Sequence, residues 1–211
     1  MARGPREWAA AAAGAAEGEC EDEVYTPFVP TAPDQVERVL TLARVTAADR
    51  LCDLGFGEGA LLIDAIQRTN CSGVGVEING RMVESARAAA TRVGLLAPQL
   101  VLTEGLIDAF LRSPQFDDVT LVFVFLVPQH LAQILPALRA FLRRPGARIV
   151  SERYEIKGLR KTGQLEAAGS QADSNGSGGA NSGAGEEVDG AALRSSYFGR
   201  SNAAYLYEGE R

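Results

Sequence analysis

The sequence of 211 residues predicts an α/β fold with a doubly wound, mostly parallel sheet and a C-terminal antiparallel hairpin. Short apolar runs alternate along the chain with segments whose apolar residues recur at helical spacing. One run, 119–126, is continuously apolar, as expected for a central strand that is covered on both faces. Alternation of this kind produces βαβ units, which build a parallel sheet with helices on both sides.

The first predicted helix begins after three prolines, and the other elements follow it at regular intervals. Pro27, Pro30 and Pro33 hold an extended approach to this helix, and Thr31 is placed to cap it. The later elements are a strand at 51–54, a helix at 58–69, a strand at 74–77, a helix at 81–93, a strand at 100–103, a short helix at 107–112, the central strand at 119–126, a helix at 131–142, a strand within 147–156, and two hairpin strands within 192–200 and 203–211.

One domain is predicted, with an acidic tail before it and an insertion within it. Residues 1–24 read as a disordered tail and 25–211 as the domain, which carries a flexible low-complexity insertion at 163–190. The part at 169–190 has almost no apolar residues. The tail and this part each carry a net charge of −4, so the rest of the chain, whose total is −6, carries about +2.

Composition disfavours several classes of protein. No apolar run approaches the roughly 20 residues that a membrane span requires, so no span is predicted. The basic residues between 139 and 161 form a loose series typical of a solvated face, and nucleic acid is therefore not a favoured partner. Three widely spaced cysteines and a single histidine predict no metal site and indicate a reducing compartment, which favours a cytoplasmic location.

A glycine-rich turn follows the first strand, in the stretch "LCDLGFGEG". Gly55, Gly57 and Gly59 permit a tight turn and let a ligand approach the backbone. In an open parallel sheet the ligand binds beyond the carboxyl ends of the strands, at the point where the strand order reverses. Asp53 precedes the turn, and Glu77 closes the second strand. The two acids therefore end adjacent strands, although each could also be a plain surface or capping residue.

Two cofactor classes compete for this turn. Gly55, Gly57 and Ala60 match the dinucleotide pattern G-x-G-x-x-A, with Glu77 at the distance of a ribose-binding acid. Asp53 opposes that class, because a pyrophosphate would meet a carboxylate at the strand end. S-adenosylmethionine has an α-ammonium group, two ribose hydroxyls and no phosphate, so it suits both acids. The sequence therefore favours S-adenosylmethionine over a dinucleotide.

The motifs also resemble a known family. The stretches "DLGFGEG" and "GVGVEIN" are similar to motif I and the next acidic position of the class I, seven-strand methyltransferases, which have a Rossmann-like fold. With "PFVPTAPDQVERVLTLA", "FVFLVP" and "LRAFLRRPGARIVSERYEI" in the expected order, the chain resembles the small protein-lysine methyltransferases that act on the ATP synthase c-subunit and the adenine nucleotide translocase. The resemblance spans 25–159. It implies methylation of a protein lysine with S-adenosylmethionine, and it leaves a mitochondrial location open.

The resemblance also assigns roles to individual residues, though it names no catalytic residue and no metal ligand. The residues it places at the cofactor are Thr31, Asp53, Gly55, Phe56, Gly57, Gly59, Glu77, Ile78, Glu104, Gly105 and Leu106. The residues it places at a lid or at the methyl-transfer channel are Tyr25, Thr26, Phe28, Phe125 and Pro128.

Three departures from the family pattern keep alternatives open. Leu106 stands where the family often has an adenine-binding aspartate, with Glu104 or Asp108 as substitutes. The segment 157–163 lacks a tryptophan, and Ala60 replaces an arginine of the turn. A small-molecule methyltransferase and a non-catalytic, cofactor-binding partner subunit are therefore the alternative hypotheses.

Overall fold

The computed structural model describes residues 33–166 and 203–209. The predicted tail, most of the predicted insertion and the hairpin strand at 192–200 lie outside these ranges. So do four candidate site residues, namely Tyr25, Thr26, Phe28 and Thr31.

The described residues alternate between helices and strands, as predicted. The helices are α1 (Pro33–Ala43), α2 (Ala60–Thr69), α3 (Gly80–Arg92), α4 (Ile107–Phe110) and α5 (Pro128–Phe141), with a short 3₁₀ helix at Pro114–Phe116. The strands are β1 (Arg50–Leu54), β2 (Ser72–Glu77), β3 (Leu100–Glu104), β4 (Leu121–Val124), β5 (Arg148–Glu152), β6 (Gly163–Leu165) and β7 (Ala204–Glu208). Among the described residues, no helix combines the length and the apolar character needed to cross a membrane.

The seven strands form one sheet in the order β3-β2-β1-β4-β5-β7-β6. The first five strands pair in parallel, whereas β7 is antiparallel to both β5 and β6. The predicted fold class is therefore confirmed. Since β1 pairs with β2 on one side and with β4 on the other, the strand order reverses between β1 and β4, where such a sheet binds ligands.

One predicted boundary differs from the structure. Residues Gly163–Leu165, which the sequence assigned to the insertion, form β6 and pair with β7. The Thr162 N–H donates to the Leu206 carbonyl oxygen at 2.8 Å and starts this pairing. A strand of three residues is too short to show an alternating pattern in the sequence. The formation of β6 therefore depends on β7, its partner from a distant part of the chain.

The sheet is covered on both faces by apolar side chains that alternate along each strand. Leu51 of β1 and Phe123 of β4 belong to a core shared with α1, α2 and α3. Cys52 and Val122, their neighbours in sequence, belong to the core on the opposite face, shared with α4 and α5. Cys52 is fully buried, as expected of a small core residue, and burial raises the pKa of its thiol.

The glycine turn is packed tightly against β2. The N–H groups of Gly55 and Phe56 both donate to the Val76 carbonyl oxygen, at 2.8 and 3.3 Å. The Phe56 ring, 5% exposed, lies over Gly75, where a Cβ atom would come within 2.7 Å of the ring carbon Cδ1. Gly75 thus leaves the space that the ring fills, and the ring anchors the turn to the sheet.

We expect Gly75→Ala to destabilise the protein by about 1–3 kcal/mol, because the added methyl group would come within 2.7 Å of the Phe56 ring and 2.9 Å of Leu62 Cδ1. A glycine-to-alanine change in a strand would otherwise stabilise, since alanine has less conformational freedom to lose. Urea unfolding measures the difference. Phe56→Leu should destabilise the Gly75→Ala variant less than it destabilises the wild type, because the smaller side chain relieves one contact with the added methyl group.

Gly105→Ala is the matched control, because the nearest atom to its new Cβ would be 4.0 Å away. Its unfolding free energy should stay within about 0.5 kcal/mol of the wild type. A Gly75→Ala variant as stable as the wild type would contradict the packing described here.

Candidate functional site

The Glu77 carboxylate lies beside the glycine turn and is held by backbone N–H groups. Gly57 donates to its Oε2 at 3.0 Å, and Asn79 donates to its Oε1 at 2.9 Å. A carboxylate has about four acceptor positions, so two remain for a ligand. A pair of vicinal hydroxyls matches this remaining capacity.

Asn79 is a residue of the site that the sequence analysis missed. Its side-chain oxygen accepts hydrogen bonds from the N–H groups of Arg81 and Met82, and so caps α3. Its own N–H holds Glu77. The signal was present, because an asparagine directly before a helical pattern is a typical N-cap.

The turn itself presents backbone without side chains. Gly55, Gly57 and Gly59 all have positive φ values, of 88°, 56° and 75°. A Cβ on Gly59 would lie 3.1 Å from the Cβ of Ala86 on α3, so glycine is also needed for the close contact of these segments. The Phe56 side chain, in contrast, is buried in the core, and only its backbone is available to a ligand.

Asp53 is a buried acid at the end of β1. Its residue is 4% exposed, and its register neighbours are Gly75 on β2 and Phe123 on β4. Burial raises the pKa of Asp53 to about 8, and repulsion from Glu77 contributes to the rise. The carboxyl group therefore keeps its proton at neutral pH until a cation compensates the charge.

Two exposed apolar side chains stand at the ends of the neighbouring strands. Ile78, 56% exposed, follows β2, and Leu106, 59% exposed, follows β3. Their strands are in register at Glu77 and Glu104. Large exposed apolar side chains of this kind are suited to the faces of a flat, apolar ring system such as adenine.

Glu104 and Asp108, the two acids that could replace the family's adenine-binding aspartate, lie in different surroundings. The Glu104 carboxylate lies against Gly80, where both its oxygens would be 3.2 Å from an added Cβ. Asp108 lies in α4 and is exposed. Gly105 is engaged through its backbone, since its N–H donates to the Glu77 carbonyl oxygen at 3.0 Å.

The segment after β4 borders the glycine turn from the other side. Leu126 is buried, and its Cδ2 would be 3.5 Å from a Cβ on Gly55. Phe125 is partly buried against the core of α1 to α3, and Pro128 is exposed at the start of α5. The predicted channel residues Phe125 and Pro128 therefore lie at the strand reversal, beside the turn.

These observations fit S-adenosylmethionine. The buried acid suits an ammonium group, the free acceptor positions of Glu77 suit ribose hydroxyls, and the two apolar side chains suit adenine. The individual cofactor contacts remain predictions of the sequence analysis. Every described candidate residue nevertheless lies at the carboxyl edge of the sheet or in the turn that follows it.

We expect Asp53→Asn to stabilise the ligand-free protein increasingly as the pH rises. The wild type folds with the Asp53 pKa near 8, above its ordinary value of 3.8. The protonated Asp53 thus contributes fully to stability below about pH 4, and this contribution is lost as the pH rises through about 8. The free energy of unfolding then falls by at most about 1.4 kcal/mol per pH unit. An asparagine has no proton to lose.

Thermal unfolding at a series of pH values measures this effect. The difference in Tm between Asp53→Asn and the wild type should grow between about pH 4 and 8. Asp108→Asn, at an exposed acid, is the control and should show no such growth. Parallel Tm curves for wild type and Asp53→Asn would refute the burial effect.

Comparisons with known proteins identify the family. The family model "ANTKMT methyltransferase domain" matches residues 53–163. A "Protein-lysine N-methyltransferase" from Saccharolobus islandicus is 31% identical over 135 residues, which are 64% of this chain and 80% of the relative. The "Adenine nucleotide translocase lysine N-methyltransferase" of Mus musculus is 34% identical over 133 residues, but this chain spans only 55% of its length.

The fold also matches a solved methyltransferase. The crystal structure of an RNA methyltransferase from Salinibacter ruber, in complex with S-adenosyl-L-homocysteine, superposes with a TM-score of 0.63. The match covers 87% of this chain and 95% of the other, at 22% identity, and therefore concerns the fold alone. Since the family model covers just over half of the chain and the Saccharolobus relative is matched along most of its length, the chain belongs to the ANTKMT methyltransferase domain family and is an S-adenosylmethionine-dependent methyltransferase.

Proposed function

We propose that this protein transfers the methyl group of S-adenosylmethionine to the side-chain amine of a lysine in a protein substrate. The observation that carries the proposal is the family match over 53–163, which begins at Asp53 and includes the whole carboxyl edge of the sheet described above. Both relatives reported above bear names of lysine methyltransferases.

Each part of the site has a role in holding the cofactor. Asp53 would face the α-ammonium group, whose charge would compensate the buried carboxylate. Glu77, which Gly57 and Asn79 hold in place, would accept hydrogen bonds from the ribose hydroxyls. Ile78 and Leu106 would cover the adenine. The bound cofactor supplies a methyl group on a positively charged sulfur.

The reaction itself is a direct displacement, and the protein contributes alignment and exclusion of water. The lysine nitrogen forms a bond to the methyl carbon as the bond from carbon to sulfur breaks, and the sulfur keeps that electron pair. The amine gives up a proton before it attacks, because only the neutral form has a free electron pair. The segment of Phe125 and Pro128 borders the approach to the turn.

We expect S-adenosylhomocysteine to bind the wild type, and Asp53→Asn and Glu77→Gln each to weaken binding about tenfold or more. A hydrogen bond to a charged group is worth about 1.5–3 kcal/mol, which corresponds to this change. Isothermal titration calorimetry measures the affinities. Asp117→Asn, at an exposed acid that is not part of the site, serves as the control and should bind like the wild type. A wild type that does not bind would exclude the cofactor site.

We expect the protein to transfer a tritiated methyl group from S-adenosylmethionine to a protein in a cell extract, and acid hydrolysis to release the label as methyl-lysine. Blocking the lysine amines of the extract by reductive methylation beforehand should abolish the labelling. Glu77→Gln is the matched control for the enzyme and should label weakly, because its cofactor site is impaired.

Other results would select the alternatives. Label that appears only in material passing a small-pore filter would indicate a small-molecule methyltransferase. Binding of S-adenosylhomocysteine without any methyl transfer would indicate a non-catalytic partner subunit.

A further inference from the structure

A cleft of about 350 Å³ lies at the opposite edge of the sheet from the glycine turn. It is lined by Arg139, Leu142, Arg143, Arg160, Glu208 and Gly209. Glu208 pairs in register with Arg148, the first residue of β5, so the cleft lies at the amino end of that strand. The glycine turn lies beyond the carboxyl end of β1. The cleft is therefore separate from the methyl-transfer site.

Three arginines from two parts of the fold converge on this cleft. Arg139 lies in the last turn of α5 and Arg143 lies two residues beyond the end of that helix, while Arg160 comes from the segment that follows β5. Like charges that line one cleft repel each other. Within the described ranges, none of the three forms an ion pair with a carboxylate.

The acid in the cleft does not neutralise these arginines. Glu208 is paired with Arg44, which lies just after α1. Arg44, which does not line the cleft, therefore compensates the charge of Glu208. The described lining carries an excess of positive charge, which a bound anion would balance.

One arginine is held in position by the backbone. Arg139 Nη2 donates to the Gly158 carbonyl oxygen at 3.2 Å. Gly158 has a φ of 91°, and a Cβ at this residue would come within 2.8 Å of the same nitrogen. The chain thus makes room for the guanidinium group and fixes its orientation.

Basic residues also stabilise the C-terminus of a helix through its dipole. This effect accounts for Arg139 in the last turn of α5 and for Arg143 just beyond it. It does not account for Arg160, which belongs to another segment, or for the cleft that the three side chains line.

We propose that this cleft binds a phosphate group. Guanidinium groups present planar pairs of N–H donors that match phosphate oxygens, and three of them suit a doubly charged or larger phosphate. The cleft has room for a pyrophosphate or a phospholipid headgroup. The proposal does not depend on the methyl-transfer site or its substrate.

Calorimetry with inorganic pyrophosphate at low ionic strength tests the site on the full chain. The wild type should bind, and Arg143→Gln with Arg160→Gln should weaken binding about tenfold or more, because two of three guanidinium groups are lost. The matched control is Arg92→Gln with Arg112→Gln, which removes the same charge from exposed arginines elsewhere. Its affinity should stay within about twofold of the wild type, since it changes only the long-range, screened field.

A vesicle arm distinguishes the two sources of phosphate. Phosphatidylcholine vesicles with and without phosphatidic acid are sedimented with each variant. If the vesicles capture the wild type only when they contain phosphatidic acid, and do not capture the variant with Arg143→Gln and Arg160→Gln, the site binds a lipid headgroup. If the wild type binds pyrophosphate but is not captured, the site binds a soluble phosphate. Both variants should keep the wild-type circular dichroism spectrum and affinity for S-adenosylhomocysteine.

Two results would overturn the proposal. One is a wild type that binds neither pyrophosphate nor the acidic vesicles. The other is an equal loss of binding in the cleft variant and in the control, which would show attraction to the overall charge and no defined site.

Discussion

The contact between the Phe56 ring and the bare backbone of Gly75 is the constraint on which the site depends. The ring fills the place of a missing side chain on β2 and draws the turn after β1 against that strand. As a result, the Gly57 N–H comes within 3.0 Å of Glu77, and the two strand ends form one surface. The glycines of the turn allow this path because each adopts a positive φ.

The same close packing creates an electrostatic cost at Asp53. An acid that is 4% exposed and near a second acid is unfavourable in the ionised form, which is why its pKa rises to about 8. The fold tolerates this cost because the two cores provide a large apolar area elsewhere. A cationic ligand accounts for a buried carboxyl group such as that of Asp53, which has no evident role in folding.

The amino and carboxyl edges of the sheet, where the parallel strands begin and end, have different roles. At the amino edge, Asp49 is buried, pairs with Arg148, and accepts hydrogen bonds from Thr46 and Thr120. This network ties the starts of β1, β4 and β5 together and leaves the carboxyl edge free for ligands. The arginine cleft lies beside this edge, because its lining residue Glu208 pairs in register with Arg148.

The sequence by itself determined the order of the elements, the parallel sheet and the pair of acids around the glycine turn, because periodicity and motif spacing are local properties of the chain. Only the tertiary structure decided that Gly163–Leu165 forms β6, that the Phe56 side chain belongs to the core, and that Asn79 holds Glu77. It also decided that the Glu104 carboxylate lies against Gly80. These features are contacts between segments that are distant in sequence or that turn away from the regular pattern, and no local pattern specifies which partner a residue meets.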